Sequence, residues 1–199
     1  MNKLIFLLLF SFPSFAQTTL VSGKYREMKI AYDKETNYVT GFYEDGTGLD
    51  EKTNQPMFSC MFYLEGKLIG NIAKIRSYFP QDSTGDLIIG ELRVVNNKEF
   101  TMHLPEEHGG CWNVEHFADE PNDFKLDTTE SWVQIRYITK DKTYFHSAQS
   151  EASKQKAYLV KGDIVCVEKD QGEWLFCSYY TEKKITKGWI RSEDLNQLS

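Results

Sequence analysis

The chain has 199 residues, with 23 basic and 29 acidic side chains, so its formal net charge is −6 at pH 7. An acidic chain without a run of basic residues argues against nucleic acid or an anionic membrane as a partner, because both bind through clustered lysines and arginines. Aromatic residues make up 14% of the chain, mostly Tyr and Phe, which favours strands over helices. The length allows one large or two small domains.

Residues 1–16 have the parts of a secretory signal peptide. Lys3 supplies a positive charge, Leu4 to Phe10 is an unbroken apolar run, and Ser14-Phe15-Ala16 offers small residues where a signal peptidase needs them. A membrane anchor is the alternative, but the apolar run is far shorter than the roughly 20 residues that cross a bilayer. We therefore predict cleavage before Gln17 and a periplasmic or extracellular protein without membrane insertion.

Strand-like patterns fill residues 17–139. Phe58, Cys60, Phe62 and Leu64 alternate with neighbours on the other face, as in a half-buried strand that ends at Gly66. The glycines of 45–48 indicate a flexible loop. We predict strands at 23–33, 38–43, 58–66, 68–79, 87–95, 99–104 and 132–138. Seven to eight short strands predict an antiparallel β-barrel or sandwich, lipocalin-like in outline, a likeness of fold that implies no function.

The four cysteines fall into two pairs along the chain. Cys60 and Cys111 lie in the first part, and Cys166 and Cys177 lie in the last part. An even number in an exported chain favours disulfides over metal binding or catalysis, and the C-x-x-C spacing of a zinc site is absent. We predict a Cys60–Cys111 disulfide. For the second pair, a cross-strand bridge and two free, half-buried thiols are both open.

A second unit, 140–199, is predicted to begin near Lys140. A strand at 142–146 and a polar stretch at 147–156 precede a series of short motifs: Gly162-Asp163, Val165-x-Val167, Gly172-x-Trp174, Gly188-Trp189-Ile190 and Asp194-Leu195. Over roughly 140–198, this order and spacing resembles the bacterial SH3 domain family. The chain as a whole is therefore predicted to be all-β, with the barrel or sandwich followed by a small SH3-like barrel.

The resemblance implies a role for several of these residues in the small barrel. Val165 and Val167 should face one side of a sheet, and Gly188 should permit close backbone approach at a barrel corner. Trp189 should supply much of the buried apolar area. The polar stretch at 147–156 departs from the short turns of many family members, so ligand contacts made through that loop are not carried over.

Aromatic side chains of the second unit are the candidate binding residues. Trp174, Tyr179, Tyr180 and Trp189 would line a groove for an extended peptide, because aromatic walls bind such ligands with little ordering cost. Trp174 lies out of phase with Leu175, which should face the core, so we expect Trp174 to be exposed. The alternative is that Trp189 is core and Trp174 covers the barrel end, which leaves no groove.

The most unusual stretch is the loop at 106–116, which begins Glu106-Glu107-His108-Gly109-Gly110. Adjacent carboxylates and an imidazole could assemble a general base or a metal site. The alternative, which we favour, is a tight glycine turn held by Cys111. We expect no metal and no cofactor.

These patterns lead to two functional hypotheses. The first is an exported, non-catalytic binding protein of the bacterial cell envelope, which recognises peptidoglycan peptides or inhibits a cell-wall-degrading enzyme; its partner would be a cell-wall peptide or an envelope protein. The second is an envelope hydrolase whose site uses Glu107, His108 and His116. The usual hydrolase signatures are absent from the first 139 residues, which favours the binding protein.

Overall fold

The computed structural model describes residues 19–82 and 85–198. The predicted signal peptide, 1–16, and its cleavage site before Gln17 lie outside the described residues. Within those residues the fold is all-β, as predicted, and the only helical elements are three single turns of 3-10 helix (Cys111–Asn113, Glu151–Ser153 and Ser192–Asp194). The same part of the chain contains no helix that is long and apolar enough to cross a membrane.

Nine strands form the first sheet, in the order β8-β7-β6-β5-β4-β3-β2-β1-β9, and all its pairs are antiparallel. From β1 to β8, strands that follow one another along the chain are neighbours in the sheet, whereas β9 returns to pair with β1. Their bounds are β1 (Gly23–Tyr25), β2 (Met28–Asp33), β3 (Tyr38–Asp50), β4 (Gln55–Ile69), β5 (Ile72–Tyr78), β6 (Ile88–Asn96), β7 (Glu99–His103), β8 (Asn122–Lys125) and β9 (Thr128–Thr129).

The first sheet curls into a half-barrel around an aromatic core. The ring of Tyr25 on β1 lies 4.9 Å from that of Phe100 on β7, although several strands separate the two in the sheet. Phe100 in turn stacks on Phe124 at 5.0 Å. Such ring contacts bury large apolar areas in offset or edge-to-face geometries, so the concave face of the first sheet is a buried apolar core.

The strand boundaries of the first sheet differ from the predicted ones at three places. The predicted strand 23–33 is a hairpin that turns at Arg26, whose φ is 54°. Residues 45–48, predicted as a flexible loop, continue β3. The strand end predicted at Gly66 falls at Gly70 instead. Gly66 lies within β4, and a Cβ atom there would lie 2.3 Å from the carbonyl oxygen of Lys74. Glycine at 66 therefore marks close strand approach rather than a strand end.

The predicted Cys60–Cys111 disulfide is confirmed. It joins β4 to the 3-10 turn Cys111–Asn113, with the two Cα atoms 4.4 Å apart and both residues fully buried. Gly110, with φ 87°, makes the preceding turn possible, and a Cβ there would lie 2.4 Å from the carbonyl oxygen of Ser59. The bridge therefore holds the loop after β7 against the middle of β4.

Six strands form the second sheet, in the order β10-β13-β14-β15-β11-β12. Val165, Val167, Leu175 and Ile190 meet in its core, as the predicted orientation of the two valines requires. Gly188 allows the expected close approach, since a Cβ there would lie 2.9 Å from the carbonyl oxygen of His146. The bounds are β10 (Gln134–Tyr137), β11 (Lys142–His146), β12 (Lys154–Val160), β13 (Ile164–Asp170), β14 (Trp174–Tyr180) and β15 (Ile185–Arg191).

The strand predicted at 132–138 does not close the first unit. It is β10, which pairs with β13 through Gln134↔Val167 to Tyr137↔Ile164. The second sheet therefore begins before the predicted boundary near Lys140. Alternation along a strand predicts its faces but not its distant partner, so this pairing was not available from the local pattern.

The second pair of cysteines is free and fully buried. A bulge between Val167 and Lys169 shifts the register, so that Cys177 lies opposite Val167 and Cys166 lies opposite Ser178. Cys177 packs in the core of the second sheet, whereas Cys166 packs between the two sheets. Because the two thiols belong to different cores, the cross-strand bridge is excluded in this structure.

The two sheets pack on each other through a third apolar cluster that includes Tyr63, Trp132 and Tyr137. Two buried hydrogen bonds cross the contact: the Tyr63 hydroxyl donates to the carbonyl oxygen of Ile135 (3.0 Å), and the Ile135 N–H donates to Thr40 Oγ1 (2.6 Å). β10 is thus bonded to the second sheet along its edge and to the first sheet across its face.

Burial of phenols and thiols makes the fold sensitive to alkali. Burial raises the pKa of Tyr25 and of Cys166 to about 12, and it also raises the pKa of Tyr43, Tyr63 and Tyr78. The unfolded chain ionises its tyrosines near pH 10. The folded protein therefore keeps phenolic protons that the unfolded chain releases, and the contribution of the tyrosines to stability is complete below about pH 10 and is lost as the pH rises towards about 12.

We accordingly expect the free energy of unfolding to fall steadily between about pH 10 and pH 12. Denaturant titrations at several pH values measure it, and the ultraviolet absorbance of tyrosinate should appear together with unfolding. Full ionisation of all tyrosines near pH 10 in a protein that stays folded would contradict the expectation.

Candidate functional site

The structure does not bring the four predicted groove residues into one groove. Trp189 was expected in the small-barrel core, but it is only partly buried and lies on the outer face of β15 against the ring of Phe176 (5.2 Å). Ile190, the next residue, is fully buried and takes the core position. The expectation for Trp189 was wrong because neighbours on a strand point to opposite faces, and Ile190 fills the inward position.

Trp174 does lie on the outer face, out of phase with the core residue Leu175, but it is not exposed. Only 7% of it is accessible. The ring of His146 meets it edge-on at 4.9 Å, and the guanidinium of Arg191 lies over it at 5.1 Å. The predicted exposure of Trp174 is therefore wrong, because side chains from two other strands cover it.

The two tyrosines have separate surroundings. The Tyr179 hydroxyl donates to Asp163 Oδ1 (3.2 Å) on the inner side of β14. Tyr180 accepts a hydrogen bond from Trp132 Nε1 (3.2 Å) at the contact between the sheets. Burial raises the pKa of both hydroxyls. Tyr179 lies on the face of β14 opposite to Phe176, the cross-strand partner of Trp189, and Tyr180 packs at the contact between the two sheets.

A different set of aromatic residues does share a surface. Cross-strand partners lie on the same face of a sheet, and the pairs Phe176↔Trp189, Trp189↔His146 and Tyr144↔Tyr158 link β14, β15, β11 and β12 into one band. We call this band the aromatic–lysine face; it consists of Lys142, Tyr144, His146, Lys154, Tyr158, Trp174, Phe176 and Trp189.

The exposed end of the face combines aromatic rings with ammonium groups. Lys154 Nζ lies 3.6 Å from the ring centre of Tyr144, and Lys142 Nζ lies 3.9 Å from that of Tyr158. The two tyrosine rings are 6.0 Å apart, and Tyr158 is 53% exposed. A cation held over a ring face is attracted by the ring quadrupole, so the two ammonium groups are fixed beside an apolar surface that is open to solvent.

These two lysines differ from Lys187 and Arg191 of the same sheet, which are paired with carboxylates. Lys187 pairs with Glu168 at 2.5 Å, and Arg191 lies within 4 Å of three glutamates. Burial alone would raise the pKa of Glu168, but hydrogen bonds from Lys187 and Ser178 outweigh it and lower that pKa. Among the described residues, no carboxylate is in ion-pair contact with Lys142 or Lys154. Their charges are available to a ligand.

Charge is distributed unevenly along the chain. Residues 140–199 hold ten basic and nine acidic side chains, whereas the acidic excess of the protein lies before residue 140. The aromatic–lysine face is therefore a locally basic surface on an acidic protein, and a complementary ligand carries negative charge.

No family model, curated protein or solved structure matches the chain. The resemblance of 140–198 to bacterial SH3 domains stays a prediction, and the function rests on the residues themselves.

The loop at 106–116 does not gather the residues of the hydrolase hypothesis. Glu107 Oε1 accepts a hydrogen bond from the N–H of Ala118 (2.8 Å), and His116 is exposed, 3.3 Å from Asp119. His108 is buried and turned to other partners. Among the described residues there is no group of three His, Cys, Asp or Glu side chains that could hold a metal ion. The three residues are splayed around a glycine turn, which favours the binding hypothesis.

His108 nevertheless has the partners of a catalytic triad. Its Nδ1 lies 2.6 Å from Asp86 Oδ2, and its Nε2 lies 2.9 Å from Ser77 Oγ. A nucleophile must reach its substrate, but Ser77 is fully buried in β5, and its hydroxyl also bonds the carbonyl oxygen of Ile88 (3.3 Å). The arrangement therefore fastens the loop onto β5 and the segment before β6, and has no access for a substrate.

Two clefts of about 490 and about 260 Å³ lie between the sheets. Several polar groups near them bond one another: Arg136 donates to Gln134 Oε1 (2.9 Å) and to the carbonyl oxygen of Asn196, and Gln134 Nε2 donates to Asp170 (3.2 Å). Burial lowers the pKa of the Arg136 guanidinium. These hydrogen bonds join the C-terminal segment and β13 to β10, so they stabilise the fold.

Sequence reasoning missed most of the aromatic–lysine face. The alternation of Lys142, Tyr144 and His146 with Thr143 and Phe145 was a usable signal for an outward face. Lys154 was obscured because 147–156 was assigned as a polar stretch, whereas β12 begins at Lys154.

Proposed function

We propose that this chain is an exported, non-catalytic binding protein of the bacterial cell envelope that recognises a carboxylate-bearing cell-wall peptide on its aromatic–lysine face. The observation that carries the proposal is the pair of unneutralised lysines, Lys142 and Lys154, held over the exposed tyrosine pair. The lysines attract the carboxylates of an extended peptide, and the rings pack against its aliphatic atoms.

Two further observations support the proposal. The Cys60–Cys111 disulfide is typical of proteins that fold in an oxidising compartment, which agrees with the predicted signal peptide. The resemblance of 140–198 to bacterial SH3 domains, which is a prediction from the sequence, also agrees with a role in peptide binding. The buried Ser77 and the splayed Glu107 and His116 give the hydrolase alternative no accessible site.

Substitution of the two lysines should weaken binding to peptidoglycan. We expect Lys142→Gln/Lys154→Gln to reduce affinity for purified peptidoglycan at least tenfold and to reduce the dependence of binding on salt, because charge pairing is lost. We expect Tyr158→Ala to reduce affinity about 30-fold, the usual cost of an aromatic anchor. Pelleting with insoluble peptidoglycan, before and after enzymatic removal of the stem peptides, measures both effects.

The matched control is Lys183→Gln/Lys184→Gln, which removes the same charge from the exposed turn between β14 and β15. It should bind like the unaltered protein, and thermal melts should show all variants folded. Binding that survives removal of the stem peptides, or that the control weakens as much as the test pair, would refute the proposal.

A further inference from the structure

The hairpin of β3 and β4 projects beyond its sheet. β2 pairs only with Tyr38–Tyr43 of β3, and β5 pairs only with Tyr63–Ile69 of β4. In the described part of the chain, residues 44–50 and 55–61 therefore pair with each other alone and form a two-stranded ribbon. An isolated ribbon is marginally stable in water, so its support must come from elsewhere.

The support comes from the disulfide-linked loop. Cys111 is bonded to Cys60, and Thr47 Oγ1 donates to the carbonyl oxygen of Asn113 (2.8 Å). Each strand of the ribbon is thus attached to the short turn that holds Trp112. Thr47 and Cys60 lie on the same face of the ribbon, because Thr47 pairs with Phe58, two residues before Cys60.

Large apolar side chains are exposed on this ribbon and on the turn that supports it. Leu49 is 61% exposed, Met57 62%, Phe58 43% and Trp112 56%. We call these four residues the apolar tip. Leu49 and Met57 line one shallow cleft at the end of the hairpin, and Phe58 lies on the face of Cys60, to which the turn that carries Trp112 is bonded. Single exposed apolar residues are ordinary, but several on one projecting and covalently anchored element mark an interaction site. The anchoring reduces the ordering cost of binding, as in a preorganised binder.

The surroundings of the apolar tip are acidic. Residues 44–59 contain four carboxylates, Glu44, Asp45, Asp50 and Glu51, and one basic residue, Lys52. The backbone N–H of Lys52 donates to Asp50 (2.9 Å) and lowers the pKa of that carboxyl, so Asp50 is ionised at neutral pH.

We propose that the apolar tip docks into an apolar cleft with a basic rim on a partner protein, of the kind that enzymes acting on the anionic bacterial cell wall present. The apolar side chains fill the cleft, and the carboxylates pair with lysines and arginines at its edge. An enzyme that attacks an anionic polymer needs positive charge around its substrate cleft, which makes it a complementary partner. This surface is distinct from the aromatic–lysine face, and the proposal does not depend on peptide binding there.

Charge also decides against two other occupants. A second copy of the chain would bring two acidic tips together, and like charges at an interface oppose association. An anionic lipid surface would repel the same carboxylates. A basic protein cleft is the occupant that both the apolar and the charged side chains of the tip favour.

The test measures binding of the full mature chain to a panel of basic muramidases of the lysozyme type, by calorimetry, and their activity on cell walls. We expect at least one member to bind, to lose activity on binding, and to bind more weakly as salt rises. Trp112→Ala should weaken binding at least 30-fold, and Asp50→Lys/Glu51→Lys should weaken it at least tenfold.

Ile69→Ser and Val95→Ser are matched controls, because both residues are large, apolar and exposed on the first sheet (77% and 50%) but lie outside the tip. Each should change binding less than threefold. Four results would overturn the proposal: no binding to any member of the panel, equal effects of tip and control variants, tip-dependent self-association in sedimentation, or tip-dependent binding to vesicles of anionic lipid. Lys142→Gln/Lys154→Gln should leave muramidase binding intact, which separates this test from that of peptide binding.

Discussion

Reduction of the Cys60–Cys111 disulfide is expected to lower the free energy of unfolding by about 4 kcal/mol. The bridge spans a sequence separation of 51 residues, and the unfolded chain gains the conformational freedom of that loop when the bridge opens. In the folded state both cysteines are fully buried against the aromatic core, so the loop keeps much of its packing after reduction. The loss therefore arises mainly in the unfolded state.

Denaturant titration of the same protein with and without a reducing agent measures this loss without changing a side chain. Cys60→Ala/Cys111→Ala is the control for side effects of the reductant, since its midpoint should not respond to it. Cys166 and Cys177 are free in either condition and should contribute nothing to the difference. An unchanged midpoint on reduction, or peptide mapping that links Cys60 to Cys166 or Cys177, would contradict the assigned bridge.

The sequence pattern was most informative within single strands. Alternation from Phe58 to Leu64 correctly put Cys60, Phe62 and Leu64 on the buried face of β4. It failed at Phe58, which has the same phase but is 43% exposed. Phase predicts which face a side chain occupies, and only the neighbouring strands decide whether that face is covered.

The two tryptophans of the second unit show the same limit. The phase of Trp174 relative to Leu175 was read correctly, yet Trp174 is buried because His146 and Arg191 arrive from other strands. Trp189 was assigned to the core for its size, although its phase relative to Ile190 excluded that position. For the candidate site, side-chain phase was a better guide than side-chain size.

The pairing of strands that are distant along the chain could not be predicted from the sequence. Nothing local in residues 132–138 distinguishes a last strand of the first sheet from an edge strand of the second, and the pairing of β10 with β13 depends on residues far along the chain. The same holds for the aromatic–lysine face, which exists because one pair, His146↔Trp189, joins β11 to β15.

Trp132→Ala should be the most destabilising single substitution at the contact between the sheets, with an expected loss of about 3–5 kcal/mol. Trp132 is only 2% exposed, belongs to the apolar cluster between the sheets, and donates a hydrogen bond to the Tyr180 hydroxyl (3.2 Å). Its removal leaves a cavity where no strand pairing holds the sheets together. Trp132→Phe keeps most of the apolar volume and should lose clearly less.

Trp189→Ala provides the comparison that makes this result specific. Trp189 is an equally large ring on the open face of the second sheet, where its removal exposes no core, and we expect a loss of about 1 kcal/mol. Unfolding followed by circular dichroism gives both values. If Trp132→Ala cost no more than Trp189→Ala, the two sheets would have to be independently stable, and β10 would be held by its pairing with β13 alone. A large difference would mean that the first sheet stabilises the unit that carries the aromatic–lysine face, so that deletion of residues 19–131 should weaken peptide binding by unfolding that face.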